Sequence, residues 1–105
     1  MQDDRTDYYL IICKEEVVGA VRVYKAQETE NHISPLFVLP DHQNKEIAYT
    51  VIKLLFKQYE EAAVWRLDTI LQEKGNCYLY EKCGFNRIGE HFMYEHHYYL
   101  YELLF

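Results

Sequence analysis

The run Leu36-Phe-Val-Leu-Pro-Asp-His-Gln-Asn-Lys-Glu-Ile-Ala48 sets an apolar strand end, a polar turn and a helix start in immediate succession. Such a junction gathers backbone N–H groups that have no intrahelical partner, and the positive end of the helix dipole adds to them. That combination can hold a phosphate or pyrophosphate without a basic patch, which matters in a chain of formal charge −6. Taken alone, the same run also describes an ordinary capped helix. A second polar concentration lies near the C-terminus, where His91, His96 and His97 mix with Glu90, Glu95 and Glu102. No spacing among them matches a zinc ligand set, so no metal site is expected and His96 and His97 read as a hairpin-turn pair.

These residues need elements to position them. Tyr8 to Cys13 and Val17 to Tyr24 are rich in β-branched and aromatic residues and flank the polar connection Lys14-Glu-Glu16, which predicts a β-hairpin. Polar residues from Lys25 to Asn31 predict a connection, and His32 to Leu39 a third strand ended by Pro40. Asp41 to Asn44 supplies capping residues. From Lys45 onward Ile47, Ala48, Val51, Ile52, Leu55 and Tyr59 recur at three- and four-residue spacing, the signature of a helix with one buried face, reaching about Glu61.

Val64 to Leu71 predicts a strand with Trp65, Leu67, Thr69 and Leu71 on one face. Gly75 and Asn76 then punctuate, and Tyr78, Leu79 and Lys82 belong to a short helix stopped by Gly84. Phe85 to Glu95 and Tyr98 to Leu104 predict two final strands. The aromatic end, Phe92 to Phe105, is expected to be buried in the sheet, with a homodimer through this edge as the other reading. The resulting class is α+β, or mixed α/β.

In two places the residues resemble the GNAT superfamily of acetyl-CoA-dependent N-acetyltransferases. Its central motif runs from a strand ending in Val-x-Pro to Gln or Arg, two residues, Gly, one residue, then Gly or Ala. This chain has Val38-Leu-Pro40 followed by Gln43-Asn-Lys-Glu-Ile-Ala48. Downstream, Asn76-Cys-Tyr-Leu-Tyr-Glu-Lys-Cys-Gly-Phe85 is similar to the family's Asn…(Leu/Phe)-Tyr-x-x-x-Gly-Phe pattern, with a shorter gap after Asn.

The resemblance implies a GNAT-like central mixed, mostly antiparallel sheet with two helices, lacking the family's N-terminal strand and helices, in one domain spanning 1–105. It implies that Phe37, Val38 and Leu39 pair with the pantetheine arm of acetyl-CoA. It further implies that Gln43, Asn44, Lys45, Glu46, Ile47 and Ala48 wrap the pyrophosphate and that Asn76 contacts the cofactor. Tyr80 matches the family's proposed general acid, protonated at neutral pH because its ordinary pKa is near ~10. His32, where relatives often carry Glu or His, is the expected general base, with Glu28, Glu30 and His42 as competitors. The implied reaction is direct attack of a small-molecule or peptide amine on the thioester, without a metal or a covalent enzyme intermediate. The alternative is a noncatalytic GNAT-like module that binds acyl-CoA or another protein. One position departs from the pattern: Glu46 stands where the family's first loop glycine lies, adding a Cβ and a negative charge.

Composition excludes several other classes. Half of the 105 residues are apolar and 27% are charged, which argues against disorder. The acidic balance argues against a nucleic-acid partner, whose affinity comes from clustered Lys and Arg. No apolar stretch approaches the roughly 20 residues of a membrane span. The acidic start, Met1 to Asp7, is unlike a secretory signal, and three cysteines without C-x-x-C spacing suit reduced thiols. The expected location is the cytoplasm.

Overall fold

A computed structural model describes residues 5–43, 46–70 and 74–105. Among these described residues six strands and two α-helices follow one another: β1 (Thr6–Cys13), β2 (Glu16–Gln27), β3 (Glu30–Val38), α1 (Ile47–Gln58), β4 (Val64–Ile70), α2 (Lys74–Lys82), β5 (Asn86–Met93) and β6 (His96–Leu104). The strands form one sheet in the order β1-β2-β3-β4-β6-β5. Every neighbouring pair is antiparallel except β3 with β4. This is the mixed, mostly antiparallel sheet with two helices that the sequence predicts.

The register sorts side chains onto two faces. One face carries Val21, Val23, Ile33, Trp65, Leu67 and Tyr101, which pack against Ile52 and Leu55 of α1, Tyr80 of α2 and Cys83 just after it. Trp65, Tyr101 and Ile52 are fully buried there, each worth roughly 2–3 kcal/mol of burial. Trp65 lies against the rings of Phe56 and Tyr59, with centroids 5.5 and 5.7 Å away. The opposite face is more polar along β3, β4 and β6, while Tyr8, Leu10 and Ile12 of β1 are exposed.

Two connections are tighter than the residue types suggest. The polar stretch from Lys25 is not a loop: β2 continues to Gln27 and β3 begins at Glu30, so His32 is the third residue of its strand and pairs with Tyr24. Ladder pairing outweighs weak local propensity here. The final turn is made by Tyr94 and Glu95, both at positive φ. His96 and His97 therefore belong to β6, paired with Met93 and Phe92, and are not the turn. The aromatic end is split between the sheet interior, since β6 lies between β4 and β5, and an exposed tip at Phe92 and Tyr94.

Helix α1 starts later than the spacing predicts and stops earlier. Pro40–His42 form a single 3-10 turn instead of a cap, and Glu46 caps α1 in the left-handed conformation without a side-chain cap bond. Helix α2 absorbs Gly75 and Asn76 into its first turn, although both were expected to precede it. The expected strand residue Leu71 and the loop residues Asn44 and Lys45 lie outside the described residues.

Gly19 of β2 pairs with Val38. A Cβ there would collide with the Phe37 carbonyl oxygen and lie 3.0 Å from Val38 Cα. Gly19→Ala should therefore push β3 outward and destabilise the protein by about 1–3 kcal/mol, read as a lower urea midpoint. An unchanged midpoint would show that β2 and β3 can separate freely at this point.

Candidate active site: a cleft where two strands part

Strands β3 and β4 pair only from Glu30↔Val64 to Ile33↔Leu67, although both continue beyond that point. On its other side β3 shifts register against β2 between Val21↔Leu36 and Val23↔Ile33. The extra residue in β3 falls at Ser34-Pro35, and proline has no N–H to give a ladder. The sheet therefore opens between Leu36–Val38 and the end of β4. Into this opening face the start of α1 and one side of α2, enclosing a cleft of about 570 Å³.

The cleft is lined by Phe37, Val38, Gln43, Glu46, Ala48, Asn76 and Tyr80, together with residues that the sequence reading did not single out: Leu36, Tyr49, Tyr78 and Lys82 among them. Of the remaining expected site residues, Leu39 and Ile47 stand beside the cleft without lining it. The Leu39 N–H is committed to the Val18 carbonyl at 2.7 Å, and Ile47 packs against the core cluster of Ile11, Val18 and Val38. Gln43 folds back on the strand end, its Nε2 donating to the Val38 carbonyl at 2.9 Å. This bond ties the 3-10 turn to β3 and sets where the loop departs.

Tyr80 is held by the end of its own helix. Phe85 N–H donates to the Tyr80 carbonyl at 3.0 Å, Gly84 N–H donates to that of Glu81 at 3.1 Å, and Gly84 sits at φ 104°. This is a Schellman cap, and its usual apolar clasp is the Tyr80–Phe85 ring contact at 6.1 Å. The motif Tyr-x-x-x-Gly-Phe thus has a mechanical meaning: glycine permits the turn, and phenylalanine fixes the tyrosine ring. Tyr80 is 5% exposed. Burial first, then the neighbouring Cys83, Cys77 and Asp68, push its pKa well above the ordinary tyrosine value. Asp68 on β4, which nothing local marks as a site residue, contacts His91 Nε2 at 3.4 Å.

His32 is placed differently from Tyr80. It shares the sheet face opposite the helices with Arg66, its cross-strand partner, and it does not line the cleft. His32 Nε2 meets Glu30 Oε2 at 2.8 Å. Arg66 binds Glu102 at 2.8 Å and approaches Glu30 at 3.7 Å. Of the expected competitors, Glu30 is in this network, and His42 pairs loosely with Glu16 at 3.6 Å. Glu28 lines a separate small cavity with Arg5 and Tyr59. Among the described residues no cluster of His, Cys, Asp or Glu is arranged to hold a metal. No described helix is long and apolar enough to cross a membrane.

The model of the acetyltransferase (GNAT) family matches residues 1–85, and the chain belongs to that family. Solved structures share the fold at low identity. The ribosomal-protein-S18-alanine N-acetyltransferase from Escherichia coli has a TM-score of 0.86 at 17% identity, covering 98% of this chain and 71% of that one. A putative streptothricin acetyltransferase from Bacillus anthracis in complex with acetyl coenzyme A has 0.85 at 18%, covering 100% and 65%. A mutant of the spermidine N-acetyltransferase from Vibrio cholerae has 0.81 at 18%, covering 97% and 67%. Curated proteins compared by sequence gave no match.

The raised Tyr80 pKa has a consequence for stability. Below about pH 10 the hydroxyl is protonated in both folded and unfolded chains. Above it the unfolded chain releases a proton that the folded chain keeps, so stability falls as pH rises. Tyr80→Phe should remove about one proton, or ~1.4 kcal/mol per pH unit, from the slope of unfolding free energy between about pH 10 and 11. Urea titrations with an unchanged slope would show that Tyr80 is not sequestered.

Proposed function

We propose that this chain is an acetyl-CoA-dependent N-acetyltransferase, a single domain over 1–105, that moves acetyl to a primary amine by direct attack. The observation that carries the reading is the convergence on one cleft of Gln43, Glu46, Ala48, Asn76 and Tyr80, from two stretches of chain separated by 27 residues, 49–75. In this reading acetyl-CoA lies with its pantetheine arm along Phe37 to Leu39 and its pyrophosphate against the start of α1. There Gln43 to Ala48 and free N–H groups face it. Asn44 and Lys45, which lie outside the described residues, are included on the strength of the motif alone.

The amine nitrogen bonds to the acetyl carbon as the carbon–sulfur bond breaks, and Tyr80 donates its proton to the departing thiolate. Burial guarantees that Tyr80 holds a proton to give, while making it a weaker acid than a free tyrosine. His32 takes the ammonium proton, relayed by water because its ring stands outside the cleft. If its Nε2–H donates to Glu30, Nδ1 is left as the acceptor. The acceptor class is a small-molecule or peptide amine, in keeping with the neighbours named for a protein alanine and for spermidine. The location we propose is cytoplasmic. One observation favours a noncatalytic acyl-CoA-binding module instead: Glu46 puts a carboxylate where the loop must approach phosphate.

The deciding experiment is thermal unfolding with and without millimolar acetyl-CoA. At 100 times its Kd the ligand should add about 2.7 kcal/mol, a rise of several degrees. No rise would overturn the cofactor assignment. Tyr80→Phe should keep that rise while lowering acetyl transfer about 10²-fold or more. A retained rise with unchanged transfer would remove Tyr80 from the chemistry, and a rise without any transfer to a panel of amines would favour the noncatalytic module.

A further inference from the structure

Glu46 does not stand alone at the mouth of the cleft. Its Oε1 meets Lys82 Nζ, from the last turn of α2, at 3.0 Å. The Lys82 ammonium also lies 4.7 Å from the centre of the Tyr49 ring. All three side chains line the cleft, and Lys82 is the one cation among its described lining residues. Hydrogen bonding and charge from Glu46 hold the lysine firmly protonated. An ion pair this exposed is held weakly, because water and salt compete for both partners.

Resting on the acetyl-CoA reading above, we propose that Lys82 is the phosphate-binding cation of this site and that Glu46 is its resident substitute for the ligand. The lysine exchanges the carboxylate for a phosphate oxygen of CoA when the cleft fills. The exchange conserves charge pairing at the ammonium, while Tyr49 keeps it over the cleft in both states. It also explains how a carboxylate is tolerated at the loop: it is neutralised when the site is empty and is free to turn to solvent when the site is filled. Glu46 keeps the left-handed backbone, φ 57°, that usually favours glycine, so Glu46→Gly would alter strain and charge together. Glu46→Gln changes charge alone.

The test is a double-mutant cycle of Glu46→Gln and Lys82→Gln, with CoA and phosphate-free pantetheine as titrants in calorimetry. Both positions are exposed, and circular dichroism checks that each variant is folded. Exchange predicts that Glu46→Gln tightens CoA binding about three- to tenfold. It also predicts that Lys82→Gln weakens binding about tenfold or more even when Glu46 is already Gln. Pantetheine affinity should not change in any variant. If Lys82 served only to neutralise Glu46, Lys82→Gln would have no effect in the Glu46→Gln background, and that result overturns the proposal while leaving the cofactor assignment intact. Absence of CoA binding in every variant overturns both.

Discussion

The parting of β3 and β4 is the constraint from which the site follows. Two parallel strands that paired along their whole length would leave no room between them, and the helices would cover a closed sheet. Here pairing ends at Ile33↔Leu67, and the extra residue at Ser34-Pro35 turns β3 away from its neighbour. Everything lining the cleft is placed relative to that divergence. Gly19 lets β2 follow the diverted strand closely, Gln43 ties the turn back to Val38, and Trp65 and Tyr101 keep the still-paired half of the sheet packed against both helices.

The two helices contribute in different ways. Helix α1 offers its beginning, where backbone donors are unsatisfied and the Glu46 cap makes no side-chain bond that would block them. Helix α2 offers a broad flank, with Asn76 and Tyr80 one turn apart at one edge of it and Tyr78 and Lys82 one turn apart at the other. Hydrogen bonding of Tyr101 to Glu81 at 2.8 Å fastens that flank to the sheet. The proposed pyrophosphate site at the start of α1 and the proposed acid on α2 thus rest on separate structural supports.

Much of this was legible in the chain because local chemistry forced it. Pro40 had to end a strand, the three- and four-residue spacing from Ile47 had to be a helix face, and Gly84 had to close α2. Tyr80 was readable for the same reason, since its cap is encoded within a few residues. What escaped was set by distant partners. The β2–β3 turn tightened because Lys25 and Gln27 found ladder partners in Asn31 and Glu30. Tyr94 and Glu95 displaced the histidines from the turn through register with β5. Lys82 lies 36 residues from Glu46, and no local pattern announces that pair. Pro35 was a visible signal of the strand's divergence, hidden only by the apolar run around it.

The spacing along α2 carries a mechanical consequence. A helix rises about 1.5 Å per residue, so Asn76, Tyr80 and Lys82 are fixed within about 9 Å along one rigid axis. The Schellman cap and the Tyr101 fastening keep that axis from sliding. The helix is therefore a ruler in the proposed reading: acetyl-CoA lying along it would be measured at two marks, one a cation and one a hydroxyl. Inserting a single residue between the marks would turn one by about 100° about the helix axis relative to the other, so the length of this short segment, as much as its composition, sets how the two groups are presented.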